Sequence, residues 1–497
     1  MCGILGVFSQ NPTNQDNFAT MLSTLVHRGP DDSGIIKQNN LLLGHQRLAI
    51  VDVVGAHQPF KDQENKRYVI CNGEIYNHEK LRQEFGSNYA FISQGDSEVL
   101  LPLYQRFAEE VTNYLDGMFS FVISDGHELF AARDPIGIKP LYYGKVDDSL
   151  FFASEIKALA EHTDEIYEFP NGHYYRREEG FIPYYQWPEE PQEILTDADT
   201  IIAKIRSCLS QSVEKRLMSD VPVGVFLSGG LDSSVIAALM AEHLPELHSF
   251  CVGLPHSPDL KAARLVAEHL GTIHHEYVYT EAEMLELLPD VIYYLESYDP
   301  ALVRSSIPCY FVSRLASEYV KVVLSGEGSD ELFAGYSYFA DYNDSAALHQ
   351  ESITILKGLH NLNLQRVDRM TMANSLEARV PFLDTEFIEL CLRIDPALKL
   401  YQTYGIEKWL LRKAFEDKLP EAVVWRDKME FAQGCASSTI LAEYAKATIS
   451  DSKLAEAICQ EFPIKDKEGL LYYQIFQSHF NNPEIANLVG RWQGTLH

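Results

Sequence analysis

Cys2 follows a methionine that a small neighbouring side chain allows to be removed. Thiol and α-amine then share one residue. A thiol of pKa about 8.5 is mostly protonated at neutral pH, whereas an α-amine near about 7.7–8.0 can accept its proton. Nucleophile and general base would arrive together, without a histidine. Taken alone, a cysteine at position 2 is more simply read as chance. Three downstream features reverse that weighting. Arg47, in Gly44-His45-Gln46-Arg47-Leu48-Ala49-Ile50-Val51, offers a planar fork suited to a carboxylate. Asn72-Gly73-Glu74 supplies a side-chain amide and a backbone N–H, the two donors a tetrahedral oxyanion needs. Asp96, after Gly95, places a carboxylate that could hold an ammonium group. Together these residues describe a pocket for an amino acid whose amide carbonyl is attacked.

A second chemistry is suggested by Ser228-Gly229-Gly230-Leu231-Asp232-Ser233-Ser234. Glycines let a backbone approach a ligand closely, and the free N–H groups at a helix start attract phosphate. No lysine follows the glycines, so this is not a Walker A loop. Asp232 would repel a bare phosphate and makes sense only with a bridging cation, Mg²⁺. The plain alternative is an ordinary tight turn. Ser325-Gly326-Glu327-Gly328-Ser329-Asp330-Glu331 again combines glycines with acids, three of them within five residues. Carboxylates at that density call for a metal or a cationic partner, or else form a solvated acidic loop.

The elements that must position these residues change character along the chain. Up to about residue 186 the pattern is strand-like, with apolar runs at 4–8, 41–43, 68–71 and 119–124, and with Asn72-Gly73 and Asp116-Gly117 as turn signals. One helix interrupts it, its stripe formed by Phe18, Met21, Leu22 and Leu25 and its stop by Gly29-Pro30. Residues 186–193 hold two prolines and three carboxylates and read as an extended linker, which puts a domain boundary near 190. Beyond it come strand–turn–helix units: strands at 221–227, 247–254 and 320–324, and a helix face of Val235, Ile236, Leu239 and Met240. Helical periodicity dominates from about 345.

A chain of 497 residues predicts two large domains or about three ordinary ones. With 46% hydrophobic and 23% charged residues it can build more than one core. A net charge of −30 makes nucleic acid and anionic membranes poor partners. No window approaches the roughly 18 apolar residues of a membrane span, and the start lacks a signal peptide's pattern. A soluble, cytoplasmic protein is expected. The eight cysteines are never closer than 24 residues, so no C-x-x-C pair exists.

Met1-Cys2-Gly3-Ile4, His27-Arg28-Gly29-Pro30-Asp31, Asn72-Gly73-Glu74-Ile75-Tyr76-Asn77 and Gly95-Asp96 resemble the class II, N-terminal nucleophile, glutamine amidotransferase family. The resemblance implies an N-terminal four-layer αββα sandwich over residues 2–190. It makes Cys2 the nucleophile and Asn72 and Gly73 the oxyanion donors. Arg47, Leu48, Ile50, Val51, Glu74 and Asp96 go to the glutamine pocket. The Ser-Gly-Gly-x-Asp-Ser turn is similar to the pyrophosphate loop of ATP pyrophosphatases.

The combined chain resembles the glutamine-dependent asparagine synthetase family almost end to end, through 252–255, 257–261, Ser375-Leu376-Glu377-Ala378-Arg379-Val380-Pro381-Phe382-Leu383-Asp384 and Gly405-Ile406-Glu407-Lys408. That implies a parallel-sheet α/β domain over 191–497 with a helical C-terminal part, and ATP, Mg²⁺, glutamine and aspartate as small-molecule partners. It leaves a homodimer open. Leu227, Val252, Ser325 and Gly326 would contact the adenylate, with Ser228, Gly229, Gly230 and Ser233 at the pyrophosphate. Asp232 and Asp330 would hold Mg²⁺–pyrophosphate, Glu327 would support formation of a β-aspartyl-AMP, and Lys408 would offset phosphate charge. Without the resemblance, Lys408 reads as a solvated charge on the outer face of a helix, and Glu377 and Arg379 as a structural pair. One departure stands out. Ala301 and Leu302 replace a threonine pair found in one branch of the family, while Arg304, expected to hold a carboxylate of the acceptor, is kept. Ammonia would cross the interior between the domains. The rivals are an acyl-adenylating synthetase using another carboxylate and a catalytically silent homologue.

Overall fold

Short runs that are apolar on both faces make strands buried on both sides, and β1 (Cys2–Phe8) is one. Its Ile4 and Phe8 point into one core, while Leu5 and Val7 point into another. The computed structural model describes residues 1–9, 15–62, 66–190, 193–427, 438–459 and 464–491. Pro191 and Gln192 of the expected linker, and Cys435, lie outside the described residues.

The first 183 residues form two antiparallel six-stranded sheets. The strands after β1 are β2 (Asp32–Gln38), β3 (Leu41–Arg47), β4 (Phe60–Lys61), β5 (Tyr68–Ile75), β6 (Gly117–Ser124), β7 (Leu129–Arg133), β8 (Tyr142–Val146), β9 (Ser149–Ala153), β10 (Glu165–Glu168), β11 (His173–Arg176) and β12 (Gly180–Pro183). One sheet runs β10-β8-β9-β1-β3-β2 and the other β12-β11-β7-β6-β5-β4. Ile4, Leu43, Ile70 and Val122 fill the space between them. The helix Gln15–Ser23 covers the first sheet with Phe18, Met21 and Leu22, and the helix Leu100–Phe107 covers the second. This is the expected αββα sandwich.

The rest is built on a parallel sheet, β15-β14-β13-β16-β17, with β13 (Val223–Phe226), β14 (His248–Gly253), β15 (Ile273–Val278), β16 (Val322–Leu324) and β17 (Glu377–Arg379). Strand β17 falls in a stretch expected to be helical. Three residues carry too little pattern to be told from a loop, and their register against β16 is tertiary. Successive strands step away from β13 in opposite directions, so the strand order reverses between β13 and β16. Such a switch point opens a crevice at the strands' C-terminal ends. Among the described residues no helix is long and apolar enough to cross a membrane. The six described cysteine side chains are free thiols.

His45 on β3 ties the two sheets of the sandwich together, its Nε2 donating to the Cys71 carbonyl on β5 at 3.1 Å. Burial pushes its pKa down to about 3. Above the ordinary value of 6.5 both folded and unfolded forms are neutral. Below it the unfolded chain binds a proton that the folded one refuses, so stability falls as pH drops toward 3. Urea unfolding at pH 6.5 and pH 4.5 should show the parent chain losing ~2–3 kcal/mol more than His45→Gln. Parallel losses would clear His45 of the effect.

Candidate active sites

Strand register assembles the first site. Cys2 lies directly opposite Arg47 on β3, and Arg47 lies opposite Asp32 on β2. From the facing sheet, Asn72 Oδ1 accepts the Cys2 N–H at 3.0 Å. Asn72 is fully buried, yet its Nδ2 has no partner. A buried donor left unpaired costs about 1–3 kcal/mol until a ligand satisfies it.

The Asn72-Gly73 dipeptide, expected as a turn, sits within β5, paired with Ser120 and Phe119 of β6. Gly73 has φ +147°, and a Cβ there would meet the Met118 carbonyl oxygen at 2.0 Å. The glycine serves a close strand approach, not a hairpin.

Arg47 curls the following strip around itself. Its Nη1 donates to the Val53 carbonyl at 3.1 Å, and its Nη2 to those of Asp52 at 2.7 Å and Val51 at 3.3 Å. Leu48 and Ile50 are buried, and Val51 is half-buried. Asp96 accepts the Ile75 N–H at 2.7 Å. Glu74 Oε1 lies 3.5 Å from Arg379, and its Oε2 has no hydrogen-bond partner. Burial pushes both carboxyls up, Glu74 further because Glu377 and Asp96 are near.

Cys2 itself is buried, which pushes its thiol up against the pull of the terminal ammonium. Met1 is present, and its ammonium is 2.7 Å from Glu377 Oε2, with both groups buried. Burial would raise Glu377, but that ammonium and Arg379 outweigh it and hold the carboxyl at about 2.

The second site is the crevice between β13 and β16. Leu227, Ser228, Gly230, Asp232, Ser233, Val252, Ser325, Gly326, Glu327, Asp330 and Lys408 all line one cavity of about 350 Å³. The turn ends in the helix Leu231–Ala241, which puts Asp232 and Ser233 in its first turn. Gly229 is the exception to the lining. Its φ is +71°, and a Cβ would meet the Ala262 backbone at 2.4 Å, so it lets the turn dock on the helix Pro258–Leu270.

Lys408 is buried, not on an outer helix face. It holds φ +56° just before the helix Trp409–Phe415, which aims Nζ inward. Nζ lies 2.8 and 2.7 Å from the two Asp232 oxygens and 2.5 Å from Asp330 Oδ1. Two carboxylates thus converge on one cation. They fit a Mg²⁺ that takes its remaining ligands from phosphate and water. Among the described residues no group of three or more His, Cys, Asp or Glu side chains gathers for a metal.

Arg304 is not brought to the cavity. Its Nε donates to Glu468 Oε1 at 2.7 Å, and Nη2 reaches the other oxygen. The helix Pro300–Ser317 presents Ala301, Ser305, Cys309 and Val312 to the cavity instead, and Leu302 is in the core. Sequence reasoning missed Arg366, whose Nη2 pairs with Glu327 inside the cavity. Glu331, one of the three acids noted in the turn at 325–331, is raised by burial and then by Asp330 to about 7 and accepts a hydrogen bond from the Tyr336 hydroxyl at 2.6 Å. No sequence signal marked Arg366: Gln365, Arg366, Asp368 and Arg369 share one side of the helix Asn363–Met372 and read as a solvated face, yet all four are buried.

A family model described as asparagine synthase matches residues 204–346 and 340–492, and one described as a glutamine amidotransferase domain matches 1–179. Asparagine synthetase B [glutamine-hydrolyzing] of Escherichia coli is 42% identical over 98% of this chain and 93% of its own length. A probable asparagine synthetase [glutamine-hydrolyzing] of Schizosaccharomyces pombe is 42% identical over 99% and 96%. One from Dictyostelium discoideum is 39% identical over 99% and 96%. With both halves matched in order and relatives aligned almost end to end, the chain belongs to the glutamine-hydrolysing asparagine synthetase family.

Proposed function

We propose that this chain makes asparagine from aspartate and ATP, with ammonia drawn from glutamine, in two catalytic units divided at about residue 190. Asn72 is the observation that carries the reading: one end of its amide fixes the backbone of Cys2, and the other is a buried donor with nothing to bind. Glutamine is placed over residues 47–51. Its carboxylate faces Arg47, and its ammonium relieves Glu74 and Asp96, whose raised carboxyls gain a cation.

With Met1 removed, the α-amine of Cys2 takes the thiol proton and the sulfur attacks the side-chain amide carbon. Asn72 Nδ2 and the Gly73 N–H hold the oxyanion, the proton leaves with ammonia, and water releases glutamate from the thioester. In the crevice, Leu227, Val252, Ser325 and Gly326 face the adenylate, and Ser228, Gly230 and Ser233 face the pyrophosphate. Lys408 balances phosphate charge, and Glu327, oriented by Arg366, supports adenylation of the aspartate side chain. Mg²⁺ held by Asp232 and Asp330 would supply further neutralisation of pyrophosphate. Ammonia crosses the interior to displace AMP, because in open water it would be protonated and lose its nucleophilicity.

Cys2→Ala is expected to abolish glutamate release and glutamine-dependent asparagine formation while leaving ammonia-supported synthesis within about twofold of the parent. Lys408→Met should do the reverse. Asparagine formation from either nitrogen source should fall by about 10²–10³-fold as two carboxylates lose their cation, and glutamate release should persist. Loss of both activities in either variant would remove the division of labour. AMP release assayed with ammonium and a panel of carboxylic acids should respond to aspartate alone. A response to a different acid would overturn the acceptor and leave the glutamine site standing.

A further inference from the structure

The strip carrying Arg47, Leu48, Ile50 and Val51 is also held from the parallel sheet. Asp220, three residues before β13, accepts the Asp52 N–H on Oδ2 at 2.6 Å, and its own N–H donates to the Ile50 carbonyl at 3.0 Å. These two bonds bracket Val51. Lys321, just before β16, places Nζ 2.6 Å from Asp31 Oδ2, and that same oxygen accepts the Ala49 N–H at 2.8 Å. Strands β13 and β16 are neighbours, paired in parallel, and their far ends open into the cavity-lining loops. They are only four and three residues long, which separates strip from loops by roughly 10–14 Å of extended backbone.

Beyond these, the outer edge of the strip is held by hydrogen bonds, those of the Arg47 guanidinium to the Val51, Asp52 and Val53 carbonyls among them. Asp52 stands at φ +48°, with its carboxylate on the N–H groups of Gly55 and Gln94, and Val54 beyond it is 84% exposed. A loop with so few buried contacts takes its conformation from its hydrogen bonds.

We infer that Asp220 is a positioning residue for glutamine: from the synthetase sheet it holds residues 50–52 in the shape that completes the glutamine pocket. This rests on placing glutamine over residues 47–51. It acts through the strip's backbone and touches no reacting atom. A contact that merely glued two surfaces would alter stability and leave substrate affinity alone.

Glutamate release should be measured across glutamine concentrations in full-length Asp220→Ala, Asp220→Asn and Arg47→Ala, with ammonia-supported asparagine formation as the control for folding. Asp220→Ala should raise KM for glutamine about fivefold or more, the order of one hydrogen bond, with kcat within about twofold. Asp220→Asn keeps an acceptor oxygen and should stay near the parent. Ammonia-supported synthesis should hold in both. An unchanged KM in Asp220→Ala, with a raised one in Arg47→Ala, overturns the positioning role alone. An unchanged KM in Arg47→Ala as well removes the glutamine placement and this inference with it. Equal losses in the Ala and Asn variants, matched by the ammonia-supported reaction, would reduce Asp220 to a structural contact and overturn the inference.

Discussion

A guanidinium with no exposed surface has to be paired on every side, and Arg28 meets that condition by joining three parts of the molecule. Its Nε donates to the Cys2 carbonyl at 3.0 Å. Nη1 reaches Glu155 at 2.6 Å and Asp368 at 2.9 Å, and Nη2 reaches Asp368 at 3.2 Å. Removing one partner of a buried pair leaves a bare charge at a cost of about 3–5 kcal/mol. The backbone of Cys2, the turn after β9 and the helix Asn363–Met372 are therefore constrained as a set. Glu155 extends the set to His27 and Lys157, and Arg369 extends it to Glu296. Burial would raise Glu155, but Lys157, His27 and the two arginines hold it well below the usual carboxylate range. The geometry at Cys2 is in this sense dictated partly from the synthetase side.

Buried arginine recurs within each part of this acidic chain as well as between them. Acids outnumber bases 71 to 41, yet the largest fully buried side chains include Arg28, Arg133, Arg369, Arg379 and Arg412. Each is held by carboxylates or carbonyls: Arg133 by Glu168 and the Phe169 carbonyl, Arg379 by Glu377 and two carbonyls, Arg412 by Glu407. Arginine suits this role because its planar fork satisfies several acceptors at once and stays charged when buried. Such pairs are a weak source of net stability, and what they fix is register between elements. The helix Asn363–Met372 shows the consequence, because Gln365, Arg366, Asp368 and Arg369 are all buried along it.

Short polar motifs made much of both sites legible in the sequence, since each demands one backbone arrangement. Gly229 and Gly73 were visible as glycines, but only tertiary neighbours tell a docking glycine from a turn. Gly73 was misread because a strand partner crowds it, and sequence has no record of that partner. Strand β17 escaped for a similar reason: three residues have no periodicity, and their place is set by β16. Lys408 resembled a helix-surface charge because spacing cannot reveal that its own backbone turns left-handed just before the helix begins. Arg304 carried its expectation by position alone, and the partner that claims it, Glu468, is 164 residues away. Arg366 went unnoticed because a charged residue in a helix normally faces water. What sequence conveys poorly is thus which buried charges meet.

The charges lining the cavity between β13 and β16 are mostly paired. Glu327 is matched by Arg366, Glu407 by Arg412 and Asp259 by Arg426. Among the described residues, Asp232 and Asp330 both meet the Lys408 ammonium, and burial, then Asp330, raises Glu331 to about 7. Among the described residues, acidic side chains outnumber basic ones seven to four on this lining. Carboxylates so placed oppose phosphate and attract cations, so on the proposed reading they would form a cation-binding set and leave phosphate to other groups. Those groups would be the backbone N–H donors at the start of the helix Leu231–Ala241 and the Lys408 ammonium. A divalent ion held between the two sets, as proposed above, would turn their repulsion into attraction. On the proposed reading the acidic turn would serve polyphosphate through such a cation, where a Walker-type loop would use its lysine.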